Sequence, residues 1–204
     1  MLNGKVNIAV LVSGGGTNLQ ALIDAEKSGI IQSGTISLVI SNKEGAYALT
    51  RAEENNIATC VITKKACGSQ EAFETAIMDC LDKNQIDLIV LAGFMSILSE
   101  RFTSHYEKRI LNVHPSLIPS FCGEGFYGLH VHEAALQYGV KVTGATVHFV
   151  NEVPDGGEII MQKAVAIEDG DTPEILQKRV MEQAEWIILP RSVEKVSGMM
   201  LQNH

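Results

Sequence analysis

The segment Val6 to Val12 (VNIAVLV) is an almost unbroken apolar, β-branched run that passes directly into Ser13-Gly14-Gly15-Gly16-Thr17-Asn18. An apolar run without alternation is buried on both faces, as are parallel strands inside α/β domains. Residues Leu19 to Lys27 then show helical spacing, with Leu19, Leu22, Ile23 and Ala25 apolar. The unit is therefore strand, glycine loop, helix. Glycines let backbone N–H groups approach a ligand closely, and a helix N-terminus favours an anion. Thr17 and Asn18 add side-chain donors. The loop is read equally well as a tight turn without a ligand. Its spacing is neither GxGxxG nor GxxxxGK[ST], so neither a dinucleotide nor a nucleoside triphosphate is indicated.

The alternation continues. Ile36 to Ser41, Thr59 to Thr63 and Asp87 to Ala92 read as strands, and Ala46 to Asn55 and Gln70 to Lys83 as helices. Ser99 is a plausible N-cap for a short helix to Tyr106. Arg109 to His114 is a strand that Pro115 stops. Leu129 to Tyr138 is helical. Val142 to Val150 and Ile159 to Ile167 are strands joined by Asn151-Glu152-Val153-Pro154-Asp155-Gly156-Gly157, which is turn chemistry and implies a hairpin. Thr172 to Val193 is the last helix, with Pro173 at its first position and Pro190 ending or kinking it. The fold class that follows is α/β: a Rossmann-like, mostly parallel but mixed sheet with helices on both faces, as a single domain over residues 1–204.

The totals narrow the function. A formal net charge of −8 gives no overall attraction for nucleic acid or an anionic membrane, so a phosphate must be held by a local device. No signal peptide is evident, no membrane span is expected, and Cys60, Cys67, Cys80 and Cys122 form no CxxC pair, so a cytoplasmic protein with reduced thiols is expected. His114, His130, His132 and His148 lack HExxH, HxxEH or paired-cysteine spacing, which ranks a metal low. Ser116 lacks a GxSxG elbow.

The chemistry is expected at Leu111-Asn112-Val113-His114-Pro115-Ser116. Side chains alternate along a strand, so Asn112 and His114 share a side at a carboxyl strand end, where open α/β sheets bind ligands. Asn112 can donate to a developing oxyanion and His114 can exchange a proton near neutral pH. Asp155, on its glycine-bounded turn, can supply a carboxylate that favours the imidazolium. Such a set suits attack of an amine on a carbonyl-like carbon. Between the two lies an irregular stretch, Ser116 to Gly128, read either as a lid or as an insertion without function.

These motifs carry a resemblance. VLVSGGGTNLQALID, LVISNK, LAGFMSILS, ILNVHPSLIPSF, HEAAL, TGATVHFV and DGGEIIMQKAV together resemble the folate-dependent glycinamide ribonucleotide formyltransferases, from about Val6 to Pro190. The resemblance implies formyl transfer from 10-formyltetrahydrofolate to glycinamide ribonucleotide in purine biosynthesis. It implies a monomer or homodimer with small-molecule substrates and no metal. Gly16, Thr17 and Asn18 stand where the family binds the ribonucleotide phosphate. Met95, Ser96, Ile97 and Leu98 stand where backbone contacts the pterin, and Asn112 holds the formyl oxygen. His114 matches the catalytic histidine and Asp155 the carboxylate that raises its pKa. Glu185, counted back from Pro190, matches a ribose contact, with Glu182 the other reading of that register. Ser96 and Gln70 stand where the family often has Arg near the folate tail, and Ser120 to Gly128 is longer than the compact family loop. The alternatives are a formyltetrahydrofolate hydrolase, a formyltransferase for another amine, and a non-catalytic nucleotide- or folate-binding module. The hydrolase usually carries an N-terminal regulatory domain and a Met-tRNA enzyme a C-terminal nucleic-acid domain, and neither is expected here.

Overall fold

The computed structural model describes residues 4–202. Seven strands form one sheet in the order β3-β2-β1-β4-β5-β6-β7. The strands are β1 (Val6–Val12), β2 (Gly34–Ser41), β3 (Ala58–Val61), β4 (Leu88–Leu91), β5 (Ile110–His114), β6 (Val142–Phe149) and β7 (Ile159–Ala166). The first five pair in parallel, while β6 runs antiparallel to both β5 and β7. The mixed sheet and the closing hairpin are therefore as the sequence implies.

Period-two geometry sorts the apolar runs onto two faces. Ile8, Val10 and Val12 of β1 and Leu88 and Val90 of β4 join one buried cluster. There they meet α1 (Thr17–Lys27), α2 (Tyr47–Glu54), α7 (Pro173–Val180) and α8 (Trp186–Gln202). Ala9, Leu11, Ile89 and Leu91 face the opposite way. They pack on Phe73, Ile77 and Leu81 of α4 (Gln70–Lys83) and on Phe102 and Tyr106 at α5 (Glu100–His105). In β2 the alternation slips, since Ile36 and Val39 share one face and Leu38 and Ile40 the other. A register shift between Ile8 and Ala9 inserts Ser37 as the extra residue of a bulge.

Two expectations are corrected. A short helix, α3 (Lys64–Cys67), lies between β3 and α4 and is capped by the Thr63 side chain. The last helix does not end at Val193. It is α7, then a π-helical turn Met181–Glu185, then α8 running on to Gln202 with Pro190 inside it. A proline ring clashes with the carbonyl four residues back, here Trp186. Trp186 has ψ −10°, off the ideal helical value, at the residue whose carbonyl would face the ring. Val193 and Val196, beyond the proline, are buried against the sheet, and that packing carries the helix onward. Between β5 and β6, α6 (Leu129–Tyr138) packs on α7 and completes the layer.

Candidate active site

The carboxyl ends of β1, β4 and β5 open onto a cavity of about 1010 Å³. It is lined on one side by Gly93–Ile97, on another by Asn18, Gln177, Met181 and Glu185, and at its centre by Asn112, His114 and Asp155. A smaller, adjoining pocket is lined by Ser96, Ile97, Leu98, Asn112, His148 and the Val150–Asp155 turn. Asn112 and His114 thus share one side of β5, and the hairpin brings Asp155 to them.

His114 is 5% exposed. Its Nε2 lies 2.8 Å from the Phe121 carbonyl oxygen, which can only accept, so Nε2 carries a proton. Its Nδ1 faces Asp155 Oδ2 at 3.4 Å. Burial lowers the His114 pKa below the ordinary histidine value; Asp155 and the Phe121 carbonyl oppose that, and His148 adds to it. The carboxylate acts in the expected direction, but the net shift is downward, because desolvation of a cation outweighs one partly shielded neighbour. At Asp155 the neighbours win over burial. Burial raises its pKa, yet His148, the His114 charge and the Gly123 N–H hold it below the usual carboxylate range.

His148 is the residue that the sequence reading did not place at the centre. It stands opposite Asn112 in the β5–β6 register. Its Nδ1 donates to the Phe149 carbonyl at 2.8 Å, so in the neutral ring Nε2 accepts from Asn112 Nδ2 at 3.2 Å. Nε2 is also 3.6 Å from Asp155 Oδ1. One amide hydrogen of Asn112 is thereby fixed, and the other is free to point into the cavity. The only available sequence signal was cross-strand pairing, and that requires the hairpin register.

The stretch Ser116–Gly128 is not a detached insertion. Besides Phe121, its Gly123 N–H donates to Asp155 Oδ2 at 2.9 Å, and Gly123–Gly128 wall the cavity. His132 of α6 is fully buried against the same wall, with both ring nitrogens lacking partners among the described residues. Burial and the nearby His114 push its pKa down to about 4, so it adds no second positive charge beside His114.

The glycine loop gives a more divided result. Gly16 has φ +71°, and a Cβ there would lie 2.6 Å from that of Ala48, so this glycine is required by the turn and by α2. Of Gly16, Thr17 and Asn18, the cavity wall includes Asn18. Asn18 Nδ2 donates to Glu185 Oε2 at 2.7 Å, and burial raises the Glu185 pKa against that bond. Glu182 instead points outward to Lys178 at 3.8 Å. A π-helical turn widens the helix locally, and here it presents Met181 and Glu185 to the cavity together. Arg51 donates to the Gly15 carbonyl at 2.9 Å, which sets a positive charge beside the loop of an acidic chain.

Met95, Ser96, Ile97 and Leu98 line the cavity or its adjoining pocket. Met95 N–H is held by Ser13 Oγ at 2.8 Å and Ser96 Oγ by Asn42 Nδ2 at 2.7 Å, yet the Ile97 side chain is 78% exposed. Among the described residues, no group of three or more His, Cys, Asp or Glu is placed to hold a metal ion, and no helix is long and apolar enough to cross a membrane.

The chain is 42% identical over 199 residues to the phosphoribosylglycinamide formyltransferase of Escherichia coli K12, covering 98% of this chain and 91% of that protein. It is 46% identical over 198 residues to the trifunctional purine biosynthetic protein adenosine-3 of Gallus gallus, covering 97% of this chain but only 19% of that much longer protein. Among solved structures, glycinamide ribonucleotide transformylase 1 from Symbiobacterium toebii superimposes with a TM-score of 0.90 at 38% identity, over 97% of this chain and 90% of that one. The formyl transferase family model matches residues 6–193, and the chain belongs to that family.

Proposed function

We propose that this chain is a phosphoribosylglycinamide formyltransferase, an enzyme that moves the formyl group of 10-formyltetrahydrofolate to the primary amine of glycinamide ribonucleotide. The observation that carries the reading is the placement of Asn112, His114 and Asp155 between two differently built walls of one cavity. The ribonucleotide lies along Asn18 and Glu185, its phosphate toward Gly16–Asn18. The pterin lies against Met95–Leu98. The two meet at Asn112.

The amine attacks the formyl carbon and forms a C–N bond, while the formyl oxygen takes up negative charge. The free N–H of Asn112 donates to that oxyanion, and the positive charge of protonated His114, whose ring nitrogens face the Phe121 carbonyl and Asp155, stabilises it electrostatically. The intermediate then expels the folate nitrogen. A proton lost from the attacking amine balances the one gained by the leaving nitrogen, and His114 with Asp155 relays it. Water at the amine's position would instead give formate, the hydrolase outcome. Glu185 and Asn18, paired on the opposite wall, favour a hydroxylated, phosphorylated amine over water. The test is an assay of the purified chain with 10-formyltetrahydrofolate, with and without glycinamide ribonucleotide. Formylated ribonucleotide with little formate is expected. Formate release at equal rates in both reactions would establish the hydrolase, and no turnover in either would leave a binding module.

A further inference from the structure

The ledge Met95–Leu98 belongs to no helix or strand, so side chains must hold its shape. On its cavity side nothing covers Ile97. On its far side stands Glu74 of α4, 1% exposed and absent from the walls of both pockets. Glu74 Oε1 accepts from the Ser99 N–H at 2.7 Å and from Gln70 Nε2 at 2.7 Å, and Oε2 accepts from the Ser99 hydroxyl. Gln70 Nε2 also donates to the Ile97 carbonyl at 3.1 Å. Ser99 in turn caps α5 through Phe102 N–H. One buried carboxylate thus grips the ledge at its end, through Ser99, and at its middle, through Gln70. Both hydrogens of the Gln70 amide are spent on this network.

We infer that Glu74 is a positioning residue for the folate ledge, setting the Ser96–Leu98 backbone through Ser99 and Gln70 without touching either substrate. The inference rests on the proposed function, which makes this ledge the pterin wall. Carboxylates that accept several N–H and O–H bonds are strong anchors, and burial makes an alternative arrangement costly. Burial would raise the Glu74 pKa, but Ser99 and Gln70 outweigh it and hold the group ionised. Displacing the pterin by a fraction of an ångström weakens its backbone contacts while the ribonucleotide wall, built from α1 and the π-helical turn, stays in place.

The test compares the wild-type chain with Glu74→Ala, Glu74→Gln and Gln70→Ala, using steady-state kinetics and amide hydrogen exchange on the free proteins. In Glu74→Ala the KM for 10-formyltetrahydrofolate should rise by about tenfold or more, with the KM for glycinamide ribonucleotide unchanged. Exchange at residues 95–99 should quicken while the strands stay protected. Glu74→Gln keeps an oxygen acceptor and should restore most of both readouts. Gln70→Ala should show the same pattern, reduced to about threefold, and carries the test if Glu74→Ala does not fold. Equal changes in both KM values, or unchanged folate KM and unchanged exchange in Glu74→Ala or Gln70→Ala, would overturn the inference. An inactive wild type would refute the proposed function instead, and the exchange data would still report on the ledge.

Discussion

Two walls of the same cavity are built on opposite principles. At the catalytic centre, polar groups are buried and held by one another: His114 is 5% exposed, His148 2%, and the Asp155 side chain 13%. At the ledge, apolar side chains are left in the open, with Ile97 78% and Met95 53% exposed. A buried polar group without partners costs stability, so the mutual bonds of Asn112, His114, His148 and Asp155 hold the centre in place. An exposed apolar group costs little until a flat aromatic ligand covers it, and then burial favours binding. The difference divides the labour. The first wall orients groups for chemistry, and the second offers surface for a ligand to cover. Variants of the centre should therefore act on turnover, and variants of the ledge on affinity.

The largest effect is expected where a group that stabilises the oxyanion is removed. Asn112→Ala and His114→Ala should each lower kcat on the order of 100- to 1,000-fold, with KM values little changed and the fold retained by circular dichroism. Near-normal turnover in either would break the division at its strongest point.

Asp155→Asn tests whether the network, rather than His114 alone, sets the proton. Asp155 favours the imidazolium, so its replacement by a neutral amide lets burial and His148 depress the His114 pKa further. A step that needs protonated His114 is lost as pH rises through that pKa. The descending limb of the pH–rate profile should accordingly move to lower pH, with turnover at neutral pH about 100-fold down. A limb that stays in place would mean that another group supplies the proton.

The two regions also differed in how far the sequence revealed them. The parallel strands were legible because burial on both faces leaves an unbroken apolar run, as in Val6–Val12 and Leu88–Leu91. The hairpin was legible because Pro154-Asp155-Gly156-Gly157 is turn chemistry. Asn112 and His114 followed from alternation in one strand, and their general chemistry from residue type; formyl transfer as their task, and the ledge, came from the family resemblance. His148 stayed hidden because its role depends on standing opposite Asn112, a fact of register between distant segments. The net downward shift at His114 was hidden for a related reason: the depth of burial is a tertiary property. So was the π-helical turn, since Met181–Glu185 carries no local signal and Pro190 argued for a break. Glu74 carries no signal of its own in the sequence, and its role appears only where the fold turns it toward Ser99.

A smaller effect than that of the network variants should come from the ledge surface itself. Ile97→Ser removes apolar area that a bound pterin or its neighbouring ring would cover, and leaves the Ile97 carbonyl free to keep its bond from Gln70. Fully burying an isoleucine side chain stabilises by roughly 1.5–3 kcal/mol. A ligand lying across one face of a side chain covers only part of it, so about 1 kcal/mol is expected, which is about fivefold in affinity. The KM for 10-formyltetrahydrofolate should rise by that factor while kcat and the pH profile stay as in the wild type. Because the side chain is already exposed in the free protein, thermal stability should not fall. A drop in kcat comparable to that of the network variants would mean that the ledge takes part in orienting the formyl group, and the separation between a wall for chemistry and a wall for binding would no longer hold.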